Sequence, residues 1–324
     1  MSASVHPTRR SGFTPLAKSA IRRGVSSAAP TTTSTFGARD LAVVVMMNLL
    51  WGLNIVAVKE AVVLVPPITA GMLRQLIVLL VCASALRVVP GKMVPLFALG
   101  VLSGGLFYVF INLSLAVSDN VGALAIAGQL GVPFSLLLAI AVLRERIHAP
   151  RVIGILLAFA GVGLLVFDPA AAREGLGLAL TAASSLVWAI CSLIQRRLVG
   201  VPVLTIYAWI GLLGTLALAA ASWWFEPGAI ARLPRTPIAA LLPIAFSGIG
   251  STVLGHGSMM WLLQRHPVST VTPLTLAAPV VSVAAASYWF GTLLTWPMVA
   301  GGAVAMLGVA IVTIRTAAKG ERRA

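Results

Sequence analysis

Apolar residues fill most of the chain in ten stretches that short polar segments separate. A helix needs about 17 to 25 mostly apolar residues to cross the hydrocarbon core of a bilayer, and each stretch has about that length. The predicted spans are 41–63, 68–87, 93–117, 121–142, 151–167, 175–196, 202–224, 239–263, 268–289 and 296–315. The pattern therefore predicts an all-α polytopic membrane protein with ten transmembrane helices.

The ten spans form two related sets of five. In the first span of each set, a shift of 137 positions superposes Asn48 on Ser185, Trp51 on Trp188 and Lys59 on Arg196. In the last span of each set, a shift of 147 positions superposes Gly154, Ala158 and Gly161 on Gly301, Ala305 and Gly308. Small residues at this spacing form a smooth stripe that another helix can approach closely in lipid. These matches predict an internal repeat.

The odd number of spans in each set determines how the halves are related. Two halves of five helices with the same fold must lie in opposite orientations across the bilayer, as in many secondary transporters. We expect a first repeat over 39–168 and a second over 174–316, flanked by basic tails at 1–38 and 317–324. This inverted-topology repeat predicts alternating access to a site between the halves.

The composition and the positions of reactive residues argue against a soluble protein and against an enzyme. Mean hydropathy is +1.01 and 10% of residues are charged, against about 25% in soluble domains. All eight carboxylates lie in tails, loops or span ends, and Cys82 and Cys191 lie in spans of different halves. Since the spans contain no paired carboxylates, His/Cys cluster or phosphate-binding loop, we expect no catalytic residues, no metal and no cofactor.

The net charge of +15 is distributed by membrane side. With the N-terminus in the cytoplasm, 18 of the 23 Lys and Arg residues lie in the tails and inner loops, four lie outside and Arg74 lies within a span. Basic residues are enriched on the cytoplasmic side of membrane proteins, whereas a nucleic-acid-binding protein clusters them on one soluble face. We therefore predict a multi-pass protein of the cytoplasmic (inner) membrane with both termini cytoplasmic and no nucleic-acid partner.

The first 38 residues are rich in Ser, Thr and Ala, are basic, and precede the first carboxylate, Asp40. This composition is typical of a disordered cytoplasmic tail. An organellar transit peptide has the same Arg-rich, Ser-rich and acid-poor character, so that alternative stays open.

Two ionisable residues within the spans, Arg74 and His256, are candidates for transport. A charge at a helix centre costs about 2.5 kcal/mol or more, so it normally faces protein or water. Arg74 either extends outward or pairs with Glu60 to set helix packing, or it acts as an outer gate or as a docking charge for a substrate carboxylate. His256 either forms a hydrogen bond with a neighbouring helix or exchanges a coupled proton.

Prolines indicate breaks in two helices. Pro133 lies near the middle of the fourth span, and Pro273 and Pro279 lie in the corresponding ninth span. Each proline removes a backbone hydrogen bond and exposes the carbonyl four residues earlier, at Gln129, Ser269 and Thr275. Interrupted helices at matching positions of two halves indicate a transport site, although a kink that serves packing alone is the alternative.

Polar and aromatic residues of the other spans complete a predicted lining for a neutral or zwitterionic small solute. These residues are Asn48, Trp51 and Asn54 in the first span, Tyr108 and Asn112 in the third, and Trp188, Ser192 and Gln195 in the sixth. Together with Arg74, Gln129, His256 and Thr275 they make up the predicted substrate-binding set.

An ordered series of short segments carries a family resemblance. The segments are 51–59 (beginning Trp51-Gly52-Leu53-Asn54), Pro66-Pro67, Leu73-Arg74, Leu143-Arg144-Glu145-Arg146-Ile147, Gly154 and Gly161, and in the second half Pro279-Val280-Val281, Gly301 and Gly308. The series resembles the EamA-type family of the drug/metabolite transporter superfamily over nearly everything after the tail. The resemblance implies a ten-helix transporter, often an exporter of amino acids or other small metabolites, with a central cavity between the halves.

One position departs from the family pattern. The family usually repeats a Gly-Glu-Arg signature before its last helix, and this chain has Gly291-Thr292-Leu293 there, with Thr292 in the acidic position. The loop is predicted to face outside, whereas Glu145 is predicted to lie inside. A mechanism that needs a symmetric acidic pair is therefore not expected.

These observations favour a secondary transporter that exports amino acids or similar small metabolites. Its expected partners are a small-molecule substrate, the lipid bilayer and, as a candidate coupling ion, the proton. A lipid-linked or nucleotide-linked sugar is an alternative cargo, which a cavity with several basic residues would favour. A non-transporting membrane receptor or scaffold is the alternative from another class, since a fold does not establish an activity.

Overall fold

The computed structural model describes residues 36–143, 149–263, 265–266, 268–292 and 294–321. Within these ranges the chain is helical and contains no β-strand. The basic N-terminal tail up to residue 35 and the segment 144–148, with Glu145, lie outside the described residues.

Five helices make up the first half of the chain. They are α1 (Ala38–Leu64), α2 (Pro67–Ala85), α3 (Met93–Val117), α4 (Val121–Val142) and α5 (Ala149–Gly163). The last helix continues as a 3₁₀ turn over Leu164–Phe167, and a short helix at Pro169–Ala172 leads into the second half.

The second half repeats this succession. Its helices are α6 (Gly175–Leu198), α7 (Val203–Phe225), α8 (Ile238–Leu263), α9 in two segments (Val268–Leu274 and Ala277–Phe290) and α10 (Trp296–Glu321). Short turns at Ala229–Arg232 and Leu233–Arg235 connect α7 to α8.

Eight of the ten predicted spans are long and apolar enough to cross a membrane: α1 to α4, α6 to α8 and α10. The other two contain shorter apolar helices, Val152–Gly163 in α5 and Ala277–Phe290 in α9. The predicted all-α membrane fold is confirmed. The crossing of the membrane by α5 and α9, and the inverted relation of the halves, stay predictions.

A carboxylate from α7 caps the start of α2. The helix begins at Pro67, a position where proline suits helical geometry and its missing N–H is not needed. The next two backbone N–H groups, of Ile68 and Thr69, donate to the Glu226 carboxylate at 2.8 Å each. A carboxylate is favourable at this end because the first N–H groups of a helix carry partial positive charge. Glu226 thereby joins the end of α7 to the start of α2.

The helices pair in a pattern that is unchanged when the halves exchange roles. The most extensive contacts join α5 to α10 and α2 to α7. In the first half, α1 contacts α9 and α8, and its counterpart α6 in the second half contacts α4 and α3. Likewise, α2 contacts α8, and its counterpart α7 contacts α3. Most of the large interfaces in the described chain therefore join one half to the other.

The small residues of α5 and α10 lie against each other. A methyl group built on Gly154 would lie 2.9 Å from the Gly308 carbonyl oxygen, and one built on Gly301 would lie 2.6 Å from the Gly161 carbonyl oxygen. Real Cβ atoms do not approach other groups so closely. The predicted stripes therefore form the contact through which the two last helices meet, as expected where lipid provides no hydrophobic drive.

The outer surface of the bundle is apolar. Large side chains such as Val63, Leu80, Trp223 and Tyr288 are exposed. A soluble monomer rarely exposes contiguous apolar area on this scale. The surface is therefore suited to hydrocarbon, which agrees with the eight candidate spans.

Candidate functional site

The middle of α8 has π-helical geometry over Phe246–Gly255. Such turns are rare and occur frequently at functional sites. The Ser251 carbonyl accepts a hydrogen bond from Trp51 Nε1 at 3.1 Å, and His256 Nδ1 lies 3.2 Å from the same oxygen. A methyl group on Gly255 would lie 2.5 Å from Trp51 Nε1, so the glycine allows α1 to approach this backbone closely.

Arg74 crosses from α2 to this π-helical segment. Its Nη2 donates to Thr252 Oγ1 at 2.6 Å and to the Ser247 carbonyl at 3.3 Å. Its guanidinium carbon lies 4.2 Å from the centroid of the Tyr108 ring in α3, an arrangement that attracts the cation to the ring face. The side chain is 5% exposed, and its Nε and Nη1 have no hydrogen-bond partner.

Three further rings surround the Arg74 region. The centroid of the His256 ring lies 5.1 Å from that of Trp51 and 5.4 Å from that of Tyr207 in α7. The cluster therefore combines one cation, three aromatic rings and an imidazole from α1, α2, α3, α7 and α8, and it contains residues of both halves.

Arg74 does not pair with a carboxylate in the described part of the chain. The predicted packing alternative, a pair with Glu60, is not observed, because Glu60 Oε1 instead accepts a hydrogen bond from Trp289 Nε1 at 3.0 Å. Among the described residues, the Arg74 guanidinium therefore contacts neutral hydrogen-bond acceptors and the Tyr108 ring.

The hydrogen bonding of His256 remains within its own helix. Its Nδ1 lies 3.2 Å from the Ser251 carbonyl and 3.1 Å from the Thr252 carbonyl. The prediction of a hydrogen bond to a neighbouring helix is therefore not borne out for Nδ1, and α1 and α7 contact the imidazole through their rings instead. Both carbonyls belong to the π-helical segment and lie within hydrogen-bonding distance of the ring nitrogen.

Two more predicted residues join the cluster indirectly. The Ser247 hydroxyl donates to Asn54 Oδ1 at 2.7 Å, so Asn54 contacts the residue whose carbonyl binds Arg74. Trp188 packs on Phe107, with ring centroids 5.7 Å apart, and Phe107 packs edge-on against Tyr108. These contacts connect α1 and α6 to the Arg74 region.

Other predicted residues stabilise the backbone. Asn112 donates from Nδ2 to the Pro67 carbonyl at 2.8 Å, next to the start of α2. Ser192 donates to the Ala189 carbonyl in its own helix at 2.7 Å. Gln195 is exposed at the end of α6. The structure does not bring these three side chains to Arg74.

Both predicted helix breaks are present. In α4 a 3₁₀ turn over Gly128–Leu130 interrupts the helix, and α9 is interrupted at residues 275 and 276, after Pro273 and at Thr275. Pro133 and Pro279 each occupy the third residue of the helical segment that follows the break. A missing N–H is tolerated there because the first N–H groups of a helix have no partner within it.

At each of the two breaks, a polar side chain from the opposite half donates a hydrogen bond to a backbone carbonyl. Asn48 Nδ2 in α1 donates to the Leu274 carbonyl at 3.1 Å, and Ser185 Oγ in α6 donates to the Gly128 carbonyl at 3.4 Å. These are the two residues that the sequence repeat superposes. Asn48 therefore satisfies a freed carbonyl of the opposite half.

An apolar cavity of about 370 Å³ lies between α4, α9 and α10. Gln129 and Pro279 line it beside apolar groups such as Ile126 and Met298. Gln129 Nε2 donates to the Ala125 carbonyl at 3.4 Å, one turn earlier. The break residues thus border a cavity different from the Arg74 cluster. No group of His, Cys, Asp or Glu with the geometry of a metal site occurs in the described ranges.

Comparison with known proteins identifies the family. The sequence pattern of the EamA-like transporter family matches residues 40–167 and again residues 175–314. The chain belongs to the EamA-like transporter family. It is 31% identical over 270 residues to an uncharacterized transporter of Archaeoglobus fulgidus, a match that covers 81% of this chain and 94% of that protein.

Two further relatives have names that describe an activity. The chain is 27% identical to a "Probable amino-acid metabolite efflux pump" of Salmonella typhimurium and 26% identical to one of Escherichia coli, over 84% of this chain and 94% of each relative. A solved crystal structure with 22% identity has a TM-score of 0.60, covering 87% of this chain and 99% of that one. That likeness concerns the fold alone.

The two EamA-like matches coincide with α1 to α5 and with α6 to α10. The segment with Glu145 lies outside the described residues. At the corresponding place in the second half, the Thr292 carbonyl accepts a hydrogen bond from Ser287 Oγ at 2.7 Å, and Gly291 has φ 63° at the end of α9. Thr292 therefore helps to terminate this helix.

Tyr207, Ser247 and Thr252 belong to the site but are not among the residues predicted from the sequence. Tyr207 is one of five aromatic residues in α7, and nothing in the sequence distinguishes it from the others. The other two lie in the small and polar run Ser247-Gly248-Ile249-Gly250-Ser251-Thr252, which is unusual within an apolar span. That run is a signal that could have located the π-helical segment.

Proposed function

We propose that this member of the EamA-like family is a secondary transporter that exports amino acids or similar small metabolites across the cytoplasmic membrane. Two inverted five-helix repeats rock about a central site, with both termini in the cytoplasm. Family membership supports transport, and the relatives named as amino-acid metabolite efflux pumps favour this cargo and direction.

The paired features of the halves support the inverted repeat. Both α3 and α8 contain π-helical segments, at Gly100–Leu106 and Phe246–Gly255. Both α4 and α9 are broken, and Asn48 and Ser185 bind a carbonyl at the respective opposite break. Transporters built from such repeats place the substrate site at their interface and use discontinuous helices near it.

The single observation that carries the proposal is the position of Arg74 between the halves. Its hydrogen bonds run from α2 in the first half to Ser247 and Thr252 in the second half. A rocking motion of one half against the other necessarily changes these contacts. Arg74 therefore links the binding of a solute to the relative position of the halves, as alternating access requires.

His256 is the candidate for proton coupling. It is the first residue after the π-helical segment that contains the Arg74 contacts, and its ring lies between those of Trp51 and Tyr207. Imidazole is the side chain that most readily exchanges a proton near neutral pH. A change of charge at His256 would alter its contacts with the two carbonyls that face Nδ1.

The experiment is uptake of a pooled panel of labelled amino acids into proteoliposomes that contain the purified protein, with and without an imposed pH gradient. Protein-free liposomes measure leakage. Gradient-driven accumulation is expected and would establish proton-coupled transport. Uptake that only equilibrates would indicate a facilitator. If folded protein takes up no panel member, the cargo assignment fails, and the sugar-carrying and non-transporting alternatives become the better explanations.

The direction of transport needs a separate measurement. Cells that express the protein are preloaded with the amino acid accepted in proteoliposomes, and its efflux is compared with that from cells expressing Arg74→Gln. Faster efflux with the unaltered protein is expected. Equal efflux from both strains, with equal amounts of protein in the membrane, would contradict export.

A further inference from the structure

Arg74 is a buried cation whose hydrogen-bonding capacity is only partly used. Nη2 has two neutral acceptors, whereas Nε and Nη1 have none. A buried donor without a partner is costly, and the cost is larger for a charged group. If Arg74 served only to stabilise packing, its Nε and Nη1 would also be expected to have hydrogen-bond acceptors.

No acidic side chain of the described chain is placed to complete it. The carboxylates with hydrogen bonds are engaged elsewhere: Glu60 with Trp289, Glu174 with the backbone of Asn120, Glu226 with the start of α2, Asp168 with the backbone of Ala171, and Asp40 with His266. All of them lie toward the ends of the helices. The anion that balances Arg74 therefore has to come from outside the described chain.

We propose that Arg74 binds the carboxylate of the transported solute, and that this carboxylate, and not the ammonium group of an amino acid, is the required recognition element. The identification of the bound anion as cargo rests on the proposed transport function. A guanidinium binds a carboxylate through parallel, charge-assisted hydrogen bonds. No carboxylate of the described chain lies beside Arg74 to receive an ammonium group.

The rings beside Arg74 define the remainder of the solute. Trp51, Tyr108 and Tyr207 each keep part of their surface uncovered. Aromatic faces suit an apolar side chain and tolerate variation in its shape. The site is therefore matched to a small monocarboxylate with an apolar tail, which includes neutral apolar amino acids and their analogues without the amino group.

Nε and Nη1 are covered in the conformation described here, and the Tyr108 ring lies over the guanidinium. A carboxylate can reach them only if the groups of α3 and α8 around Arg74 move apart. Binding is consequently coupled to a conformational change, since the solute favours the state in which Arg74 is open.

The test compares three probes of the same shape on the full-length protein in detergent: L-leucine, L-leucinamide and 4-methylpentanoate. A ligand that binds only the folded state raises the unfolding temperature. L-leucine and 4-methylpentanoate are expected to stabilise the protein at equal concentration and ionic strength, and L-leucinamide is not. Chloride at the same concentration is the control for a general salt effect. Equal stabilisation by all three probes, or by none, would overturn the proposal.

Variants of Arg74 connect this effect to the residue. Arg74→Lys keeps the charge but loses the planar fork, and we expect it to weaken binding of 4-methylpentanoate by about tenfold or more. Arg74→Gln is expected to abolish the stabilisation. Arg235→Lys is the matched control, because Arg235 is exposed in the connection between α7 and α8 and should leave binding unchanged. Unaltered binding by Arg74→Lys would contradict the proposal.

The proposal of transport and the proposal of carboxylate recognition by Arg74 can be refuted separately. If carboxylates stabilise the protein but no panel amino acid is taken up by proteoliposomes, the anion site stands and the transport proposal fails for this cargo. If amino acids are taken up but L-leucinamide competes as well as 4-methylpentanoate, transport stands and recognition through Arg74 is wrong. The unaltered protein alone distinguishes these outcomes, so the test does not depend on the folding of a variant.

Discussion

The contact between α5 and α10 provides a sharp test of the packing argument. Gly161 faces the α10 backbone, where a methyl group built on it would lie 2.5 Å from the Gly301 carbonyl oxygen and 2.7 Å from Ala305 Cα. Gly163, two residues later in the same helix, has no atom within 4 Å of such a methyl group. Gly161→Ala and Gly163→Ala are therefore the same chemical change in one helix with opposite steric consequences.

The expected difference follows from these distances. Non-bonded carbon atoms prefer about 3.5 to 4.0 Å, so α10 must withdraw by about 1 Å to accommodate the methyl group of Gly161→Ala. Overpacking of this kind typically costs about 1 to 3 kcal/mol. In contrast, Gly163→Ala gains up to about 1 kcal/mol of helix propensity. The free energy of unfolding should therefore differ between the variants by about 1 to 4 kcal/mol.

The measurement is equilibrium unfolding of both variants in mixed micelles with increasing denaturing detergent, followed by tryptophan fluorescence. Gly161→Ala should unfold earlier than the unaltered protein, and Gly163→Ala should not. The double variant Gly161→Ala/Gly301→Ala should lose less than the sum of the single losses, because both methyl groups open the same gap. Indistinguishable midpoints for Gly161→Ala and Gly163→Ala would refute the close approach of the two helices.

Three further predictions concern the ends and breaks of helices and the imidazole. Asn48→Ala leaves the Leu274 carbonyl without its donor and should lower the free energy of unfolding by about 1 kcal/mol. Ser185→Ala removes a longer hydrogen bond and should cost less. A larger loss for Ser185→Ala than for Asn48→Ala would contradict this prediction. Glu226→Gln weakens the cap of α2, so hydrogen exchange of the first amides of α2 should accelerate, and unchanged exchange would argue against it. His256→Gln should retain substrate binding but lose accumulation driven by a pH gradient; if both transport and its pH dependence persist, His256 is not the proton carrier.

The features of the fold that depend on neighbouring residues in the sequence could be predicted. Apolar length identified the helices, and prolines located the breaks in α4 and α9. The stripes that contain Gly154 and Gly301 predicted close packing, but any smooth surface can be the partner of such a stripe. That the two stripes pack against each other depends on the arrangement of the halves, which a local pattern does not contain.

The candidate site was harder to predict because a polar residue in a membrane helix has two possible roles. Asn48 and Asn112 are predicted to line a solute site, and in the structure their Nδ2 groups bind backbone carbonyls. A buried amide requires a partner, and a carbonyl freed by a helix break or a helix end satisfies it as well as a solute does. Arg74 and Tyr108 do meet. The spacing of residues within one span could not distinguish these outcomes.

The positive charge of the site comes from Arg74 in the first half alone. This asymmetry limits the number of carboxylates that the site can hold. The corresponding helix of the second half, α7, contains no charged residue within Val203–Phe225. One guanidinium can balance one carboxylate, and a second buried carboxylate would lack a partner. We therefore expect butyrate to stabilise the purified protein against thermal unfolding and succinate to have little effect at equal ionic strength, with Arg74→Gln as the control that removes the response to butyrate. Stronger stabilisation by succinate would require a second cation at the site, which the described spans do not provide beside Arg74.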